Sequence, residues 1–129
     1  MSVQRAKWIV VLLVLQTAGT GCRDPRRVEH SVPSLVTTLK EDKDPNMRYW
    51  AAESLGKFGP EARSAVPELI AALKDENKMV RLGAAYALGA IGSTDAVAAL
   101  QEAGKDPEKE VRDAAATALK QIQQPAKKK

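Results

Sequence analysis

Acidic and basic side chains recur in this chain at a fixed spacing, and they are the residues that could support proton-transfer chemistry. Each acid stands six residues before an arginine, and the pairs are Asp42 and Arg48, Asp75 and Arg81, and Asp106 and Arg112. A catalytic acid and base would be needed once, whereas this arrangement occurs three times at the same spacing. We therefore predict a structural role, in which each carboxylate accepts hydrogen bonds from turn N–H groups and pairs with an arginine fork.

The other reactive side chains are few. The chain has one cysteine, Cys22, and one histidine, His30. A zinc site built from histidine and cysteine needs several such residues, and no glycine-rich phosphate loop follows a strand-like segment. The sequence therefore predicts no metal, no cofactor, no small-molecule substrate, and a protein that is not an enzyme.

The N-terminal residues have the pattern of an export signal. Arg5 and Lys7 precede an apolar run over residues 8–15, and the small residues 18–21 lead directly to Cys22. A bilayer-spanning helix needs roughly 20 apolar residues, so this run is too short to be one. The pattern predicts a removable segment over residues 1–21.

These features resemble a bacterial lipoprotein signal, in which the cysteine becomes the lipidated first residue. Gly19 departs from that family, which usually has leucine three residues before the cysteine. The resemblance implies lipidation of Cys22, a lipid-anchor linker over residues 22–30 and an exported protein held at the cell envelope. Plain secretion, an uncleaved anchor and a cytoplasmic protein remain alternatives.

The positive net charge lies outside the main body of the chain. Residues 31–123 carry 12 Lys and Arg against 14 Asp and Glu, a net charge of −2. A nucleic-acid surface needs a basic stripe on the folded domain to neutralise phosphates, so no nucleic-acid partner is expected. The basic end, residues 124–129, is predicted to be a disordered tail.

The chain repeats itself from residue 31 onwards. Residues 32–39 match 66–73, and residues 47–59 match 80–92 at an offset of 33 residues. A third copy follows 31 residues later over residues 111–122. Sequence repeats of about this length are typical of stacked helical arrays.

Each copy is predicted to form a short first helix and a longer second helix. In the second copy the apolar positions follow the spacing of one helix face, and they are Val80, Ala84, Ala87, Leu88 and Ile91. The first copy repeats this stripe with Met47, Ala51, Ser54, Leu55 and Phe58. Gly59 and Gly92 are predicted to end the long helices in a left-handed conformation. The third copy has Lys120 and Gln123 where the others have glycine, which marks the end of the array.

The segment Asp-x-Asp-Pro-x-Met/Val-Arg followed by Ala-Ala-x-x-Leu-Gly-x-Phe/Ile-Gly resembles the short HEAT-like repeat of bacterial proteins. The resemblance covers residues 31–123 as three repeats, at about 31–60, 63–93 and 94–123. It implies an all-α fold, an α-solenoid of three antiparallel helix pairs, with first helices convex and second helices concave. It also implies that the Asp and Arg pairs form a ladder through the stack.

Function is expected to lie on the second helices, where residues outside the core stripe form lateral rows. The candidate partner-binding residues are Tyr49, Trp50, Leu82 and Tyr86, because Tyr and Trp are favoured anchors at protein interfaces. An alternative for Trp50 is packing over the neighbouring repeat, with Gly83 leaving room for it. These residues predict a non-catalytic protein–protein scaffold or adaptor at the bacterial cell envelope that binds through the concave face. The alternative is a phycobilin-lyase-like HEAT protein or lyase subunit, which the export signal disfavours.

Overall fold

The computed structural model describes residues 30–124, and every regular element in that part of the chain is helical. The α-helices are α1 (Val32–Glu41), α2 (Pro45–Phe58), α3 (Val66–Ala72), α4 (Lys78–Ile91), α5 (Val97–Ala103) and α6 (Lys109–Gln123). They form three pairs, each with a shorter first helix and a longer second helix, stacked as an all-α solenoid. The 3₁₀ segments Gly59–Ala65 and Thr94–Ala96 connect one pair to the next.

The second helices α2 and α4 begin at side-chain caps and end at glycine. Asp44 accepts the N–H of Asn46 at 2.9 Å at the start of α2, which satisfies a donor that has no partner within the helix. Gly92 ends α4 with φ 75° and ψ 24°, the left-handed conformation that the sequence predicts. Gly59 also has a positive φ of 60°, but its ψ of −139° lies outside the left-handed helical region. The chain enters the 3₁₀ segment Gly59–Ala65 at that point.

The predicted core stripe is buried in α4, whereas its first residue in α2 is not. Val80 is fully buried, while Met47 at the corresponding position of α2 is 37% exposed. Helix α4 lies between α2 and α6, whereas α2 has a neighbouring second helix on one side only within residues 30–124. Within the described residues no second helix covers the other side of α2, which explains why Met47 is exposed.

Small residues let the second helices approach each other closely. A Cβ atom added to Gly56 in α2 would lie 3.0 Å from the Cα of Ala87 in α4, and one added to Gly89 in α4 would lie 2.8 Å from the Cα of Ala118 in α6. The second helices pack against each other along their length, and the first helices much less. Because neighbouring second helices lie closer together than neighbouring first helices, the second helices form the inner side of the stack. In α6 the residue at the position of Gly56 and Gly89 is Lys120.

Candidate protein-binding site

A ladder of arginine and aspartate side chains connects the copies at the start of the second helices. Arg48, in the first turn of α2, donates from Nε and Nη2 to the two carboxylate oxygens of Asp75 at 2.9 and 3.0 Å. Its Nη1 donates to the backbone carbonyls of Asp42 at 2.9 Å and Lys43 at 3.2 Å. Arg48 therefore ties its own turn to the turn of the next copy.

Arg81 repeats this geometry one copy later. It donates to the carboxylate of Asp106 at 2.8 and 3.3 Å, and to the backbone carbonyl of Asp75 at 2.8 Å. Arg112 donates to the carbonyls of Asp106 at 2.6 Å and Pro107 at 2.9 Å. Within residues 30–124 no carboxylate pairs with Arg112.

The aspartates have two functions in the ladder. Asp75 accepts the N–H of Asn77 and Asp106 accepts the N–H of Glu108, both at 2.9 Å, which shapes each turn. Their carboxylates also accept hydrogen bonds from the arginine of the preceding copy. The arginine six residues later donates to their backbone carbonyl and not to their carboxylate. The sequence paired Asp and Arg within a copy, and in the structure the side-chain pairing crosses to the next copy.

The electrostatics of the ladder favour permanent ion pairs. The hydrogen bonds that Arg48 donates to Asp75, together with the charges of Asp75, Glu76 and Asp42, raise the pKa of Arg48 above its usual value, against the opposing effect of burial. The guanidinium therefore stays charged throughout the physiological range. Arg48 therefore acts in the ladder as a fixed cation that positions the turns.

The surface of α2 and α4 that contains exposed Met79 and Tyr86 and half-buried Tyr49 and Leu82 is called the second-helix surface below. Met79, Leu82 and Tyr86 are spaced i, i+3 and i+7 along α4, so they lie on one face of that helix. Tyr86 is 54% exposed and Met79 is 43% exposed, while Leu82 is half-buried. Met79 was missed at the sequence level, although its position one turn before Leu82 would have indicated it.

Tyr49 and Trp50 are held by packing within the array. The ring of Tyr49 is so close to Gly83 that a Cβ on this glycine would lie 2.9 Å from Cδ2 of the tyrosine. The space at Gly83 therefore accommodates Tyr49, not Trp50 as the sequence suggested. Trp50 is half-buried, and its ring lies edge-on to His30 with 5.4 Å between ring centroids.

A small cavity of about 160 Å³ opens beside the second-helix surface, between the starts of α4 and α6. Met79, Leu82 and Val111 provide its apolar walls, and Glu108 and Glu110 lie at its edge. The second-helix surface thus combines an exposed apolar row with a recess that could accept an apolar side chain.

Several predictions fall on residues outside 30–124. These are the signal over residues 1–21, the lipidated Cys22, most of the linker and the basic tail from residue 125. Within the described part, no helix is both long and apolar enough to cross a bilayer. No group of three or more His, Cys, Asp or Glu side chains in the same residues is placed to hold a metal ion.

The fold and repeat pattern define the class of the protein. The family model of HEAT repeats matches residues 32–120, and the chain belongs to this family. Phycocyanobilin lyase subunit alpha of Nostoc sp. is 38% identical over an alignment of 97 residues that covers 70% of this chain and 35% of that protein. The same subunit of Thermosynechococcus vestitus is 41% identical over 100 residues, covering 67% of this chain and 36% of that protein.

A human protein and a solved structure are also similar to this chain. Human deoxyhypusine hydroxylase is 49% identical over 67 residues, covering 50% of this chain and 22% of that protein. The solved complex of CpcE and CpcF of phycocyanin lyase from Nostoc sp. matches with a TM-score of 0.69 and 32% identity, over 79% of this chain and 41% of the matched one. The chain spans about a third of the length of the lyase subunits.

The prediction of a protein that is not an enzyme is wrong, because the relatives are named as subunits of a lyase. The prediction depended on finding catalytic side chains within this chain. In an enzyme assembled from several polypeptides, a subunit can contribute by holding the other parts in place. Such a subunit needs no catalytic constellation of its own.

Proposed function

We propose that the chain is a HEAT-repeat subunit of an enzyme complex of the phycobilin-lyase type, and that it binds a second protein through the second-helix surface. The observation that carries this proposal is the distribution of exposed apolar side chains. Three large hydrophobic residues are exposed within residues 30–124, and two of them, Met79 and Tyr86, lie with half-buried Leu82 on one face of α4, while the third, Met47, lies at the start of α2. Apolar side chains gathered on one surface are typical of interaction sites.

The geometry of α4 favours a protein ligand. Met79, Leu82 and Tyr86 form a row about two helical turns long on a helix that is packed on both sides, so the row is rigid before any partner binds. The recess beside Met79 could accept one side chain of the partner. Tyrosine is enriched among residues that dominate interface energies, and Tyr86 is the most exposed member of the row.

The similarity to lyase subunits supports the lyase part of the proposal. The relatives are named as subunits, and the matched solved structure is a complex of two proteins. Because the chain spans about a third of those subunits, we propose that it supplies a binding array and that other parts of the complex complete the activity.

The binding surface is tested by capture with a photo-crosslinking amino acid in place of Tyr86, followed by identification of the partner. With the purified partner, Tyr86→Ala should weaken binding at least about tenfold, since truncating an interface anchor often costs about 2 kcal/mol. Gln101→Ala, which changes an exposed residue of the first helix α5, is the matched control and should bind normally. Equal affinity for both variants would place the binding site elsewhere.

The lyase part is tested separately with phycocyanobilin. The chain together with its captured partner should retain the bilin on a desalting column, as followed by visible absorbance, and Tyr86→Ala should reduce this retention. A partner complex that retains no bilin would refute the lyase assignment and leave the protein-binding site intact.

The location of the protein is a separate proposal, which does not rest on the lyase assignment and is tested independently of it. The order of basic residues, apolar run, small residues and Cys22 supports lipid anchoring at the cell envelope. Intact-mass analysis of membrane-extracted protein should show a polypeptide that begins at Cys22 and carries acyl chains. The variant Cys22→Ser should shift the protein out of the membrane fraction, and a full-length soluble protein with a free thiol would refute the anchor.

A further inference from the structure

An open groove separates the first helices α3 and α5 on the side of the array opposite the second-helix surface. Its volume is about 640 Å³. Its apolar floor is formed by Ile70 of α3, by Leu73 directly after that helix, and by Ala98 and Ala99 of α5. The volume lies within the range of about 300–1,000 Å³ that ligand-binding sites occupy.

The groove exists because the side chains where α3 meets α5 are smaller than those where α1 meets α3. The register of the repeats aligns Ala98 and Ala99 of α5 with Pro67 and Glu68 of α3. The first helix α1 packs against α3, whereas α3 and α5 scarcely touch. Alanine at both positions of α5 thus leaves the space that larger side chains could fill.

The end of the groove is rigid because the ladder forms its wall. Arg81 and Asp106 line this end, and their side chains are only 14% and 7% exposed. Arg81 uses its Nε and Nη2 on Asp106 and its Nη1 on two backbone carbonyls, so four of its five N–H groups are engaged within the wall. The wall fixes the shape of the groove and adds no unpaired charge.

The rim of the groove has one unmatched charge. Lys105 pairs with Glu102 at 3.3 Å. Lys74 is exposed at the rim, and within residues 30–124 no carboxylate lies within 4 Å of its ammonium group. A ligand that complements this groove therefore needs an apolar part for the floor and an anionic group beside Lys74.

We infer that the α3–α5 groove binds a segment of a partner protein in which a bulky apolar residue stands beside an aspartate or glutamate. The apolar side chain lies over Ile70 and Leu73, and the carboxylate pairs with Lys74. The groove is open along its length, and small-molecule sites usually bury most of the ligand. A protein segment suits an open groove better, because the rest of the partner covers what the groove leaves exposed. This inference deepens the proposed function, since it gives the proposed complex a second contact surface.

Selection from a displayed peptide library tests the inference without knowledge of the partner. The wild-type protein is the bait, and Ala98→Leu, which fills the floor from an exposed position, is used for counter-selection. Peptides with Leu, Phe or Trp next to Asp or Glu should be enriched. No enrichment, or enrichment of basic peptides, would overturn the inference.

Affinities of a selected peptide then provide the quantitative test, by fluorescence anisotropy. Ala98→Leu should weaken binding at least about tenfold, the loss expected when a buried anchor is excluded. Lys74→Glu should weaken it by about fivefold, the upper range for an exposed ion pair. Ala116→Leu, which makes the same change at an exposed alanine of α6, should bind like the wild type.

The outcomes separate this inference from the proposed function. If the partner captured at Tyr86 binds normally to Ala98→Leu and no peptide is selected, the groove inference fails and the second-helix surface stands. If peptides bind the groove but Tyr86→Ala leaves partner binding unchanged, the second-helix proposal fails and the groove stands. Circular dichroism and the unfolding midpoint of each variant establish that the fold is intact.

Discussion

Replacing Arg81, the central arginine of the ladder, should lower the free energy of unfolding of the array. The structure separates the expected loss into two kinds of hydrogen bond. Arg81→Ala removes two hydrogen bonds to the carboxylate of Asp106 and two to backbone carbonyls of its own turn. Arg112→Ala removes only the second kind within the described residues. Arg112 is therefore a matched control for the contact that crosses between copies.

The magnitudes follow from burial. A net contribution of about 0.5–1.5 kcal/mol is typical of a hydrogen bond between protein groups, and about 1.5–3 kcal/mol of one to a charged group. Asp106 is 7% exposed beside Arg81, so Arg81→Ala removes its charge partner and leaves the N–H of Glu108 as its remaining protein donor within the described residues. We expect Arg81→Ala to lower the free energy of unfolding by about 3 kcal/mol and Arg112→Ala by about 1 kcal/mol.

Urea denaturation with linear extrapolation measures both values. The double variant Arg81→Ala with Asp106→Ala completes a cycle whose coupling energy reports the ion pair itself. Equal losses for Arg81→Ala and Arg112→Ala would refute the reasoning, because the contact between copies would then contribute nothing. Arg48 holds Asp75 with the same bidentate geometry, so Arg48→Ala should cause a loss similar to that of Arg81→Ala.

The remaining predictions concern packing between the second helices and the exposed surface. Gly89→Ala should destabilise the protein by about 1–3 kcal/mol, the usual cost of overpacking, because the new methyl group would meet the backbone of α6; an unchanged urea midpoint would contradict this close approach. Tyr49→Ala should cost about 1–2 kcal/mol because its ring packs on Gly83, whereas exposed Tyr86→Ala should stay within about 0.5 kcal/mol. Thermal unfolding of the two tyrosine variants side by side checks this difference, and equal losses would mean that both residues are packing residues.

The candidate site was only partly accessible from the sequence. Tyr49, Trp50, Leu82 and Tyr86 fall in neighbouring lateral rows outside the core stripe of the second helices, and all four were predicted as binding residues. Burial divides them, because Tyr49 and Trp50 pack within the array and Tyr86 is exposed. The binding role of the surface is a prediction that the Tyr86→Ala experiment addresses.

The sequence by itself determined the local structure of this protein. The apolar spacing of α4, the cap at Asp44 and the helix end at Gly92 each depend on residues within a few positions along the chain. Such local preferences act through backbone geometry and nearby hydrogen bonds, and they repeat with the sequence. The number of copies and the order of the helices follow from them.

Only the tertiary structure decided which residues meet across copies. Arg48 binds an aspartate 27 residues later and Arg81 one 25 residues later, although an aspartate stands six residues before each. The α3–α5 groove likewise depends on the distance between two helices from different copies. These contacts are set by the distance and rotation between neighbouring helix pairs, which follow from the packing of small residues such as Gly89 against the next helix. That packing is a property of two surfaces together, and a pattern read along one chain does not contain it.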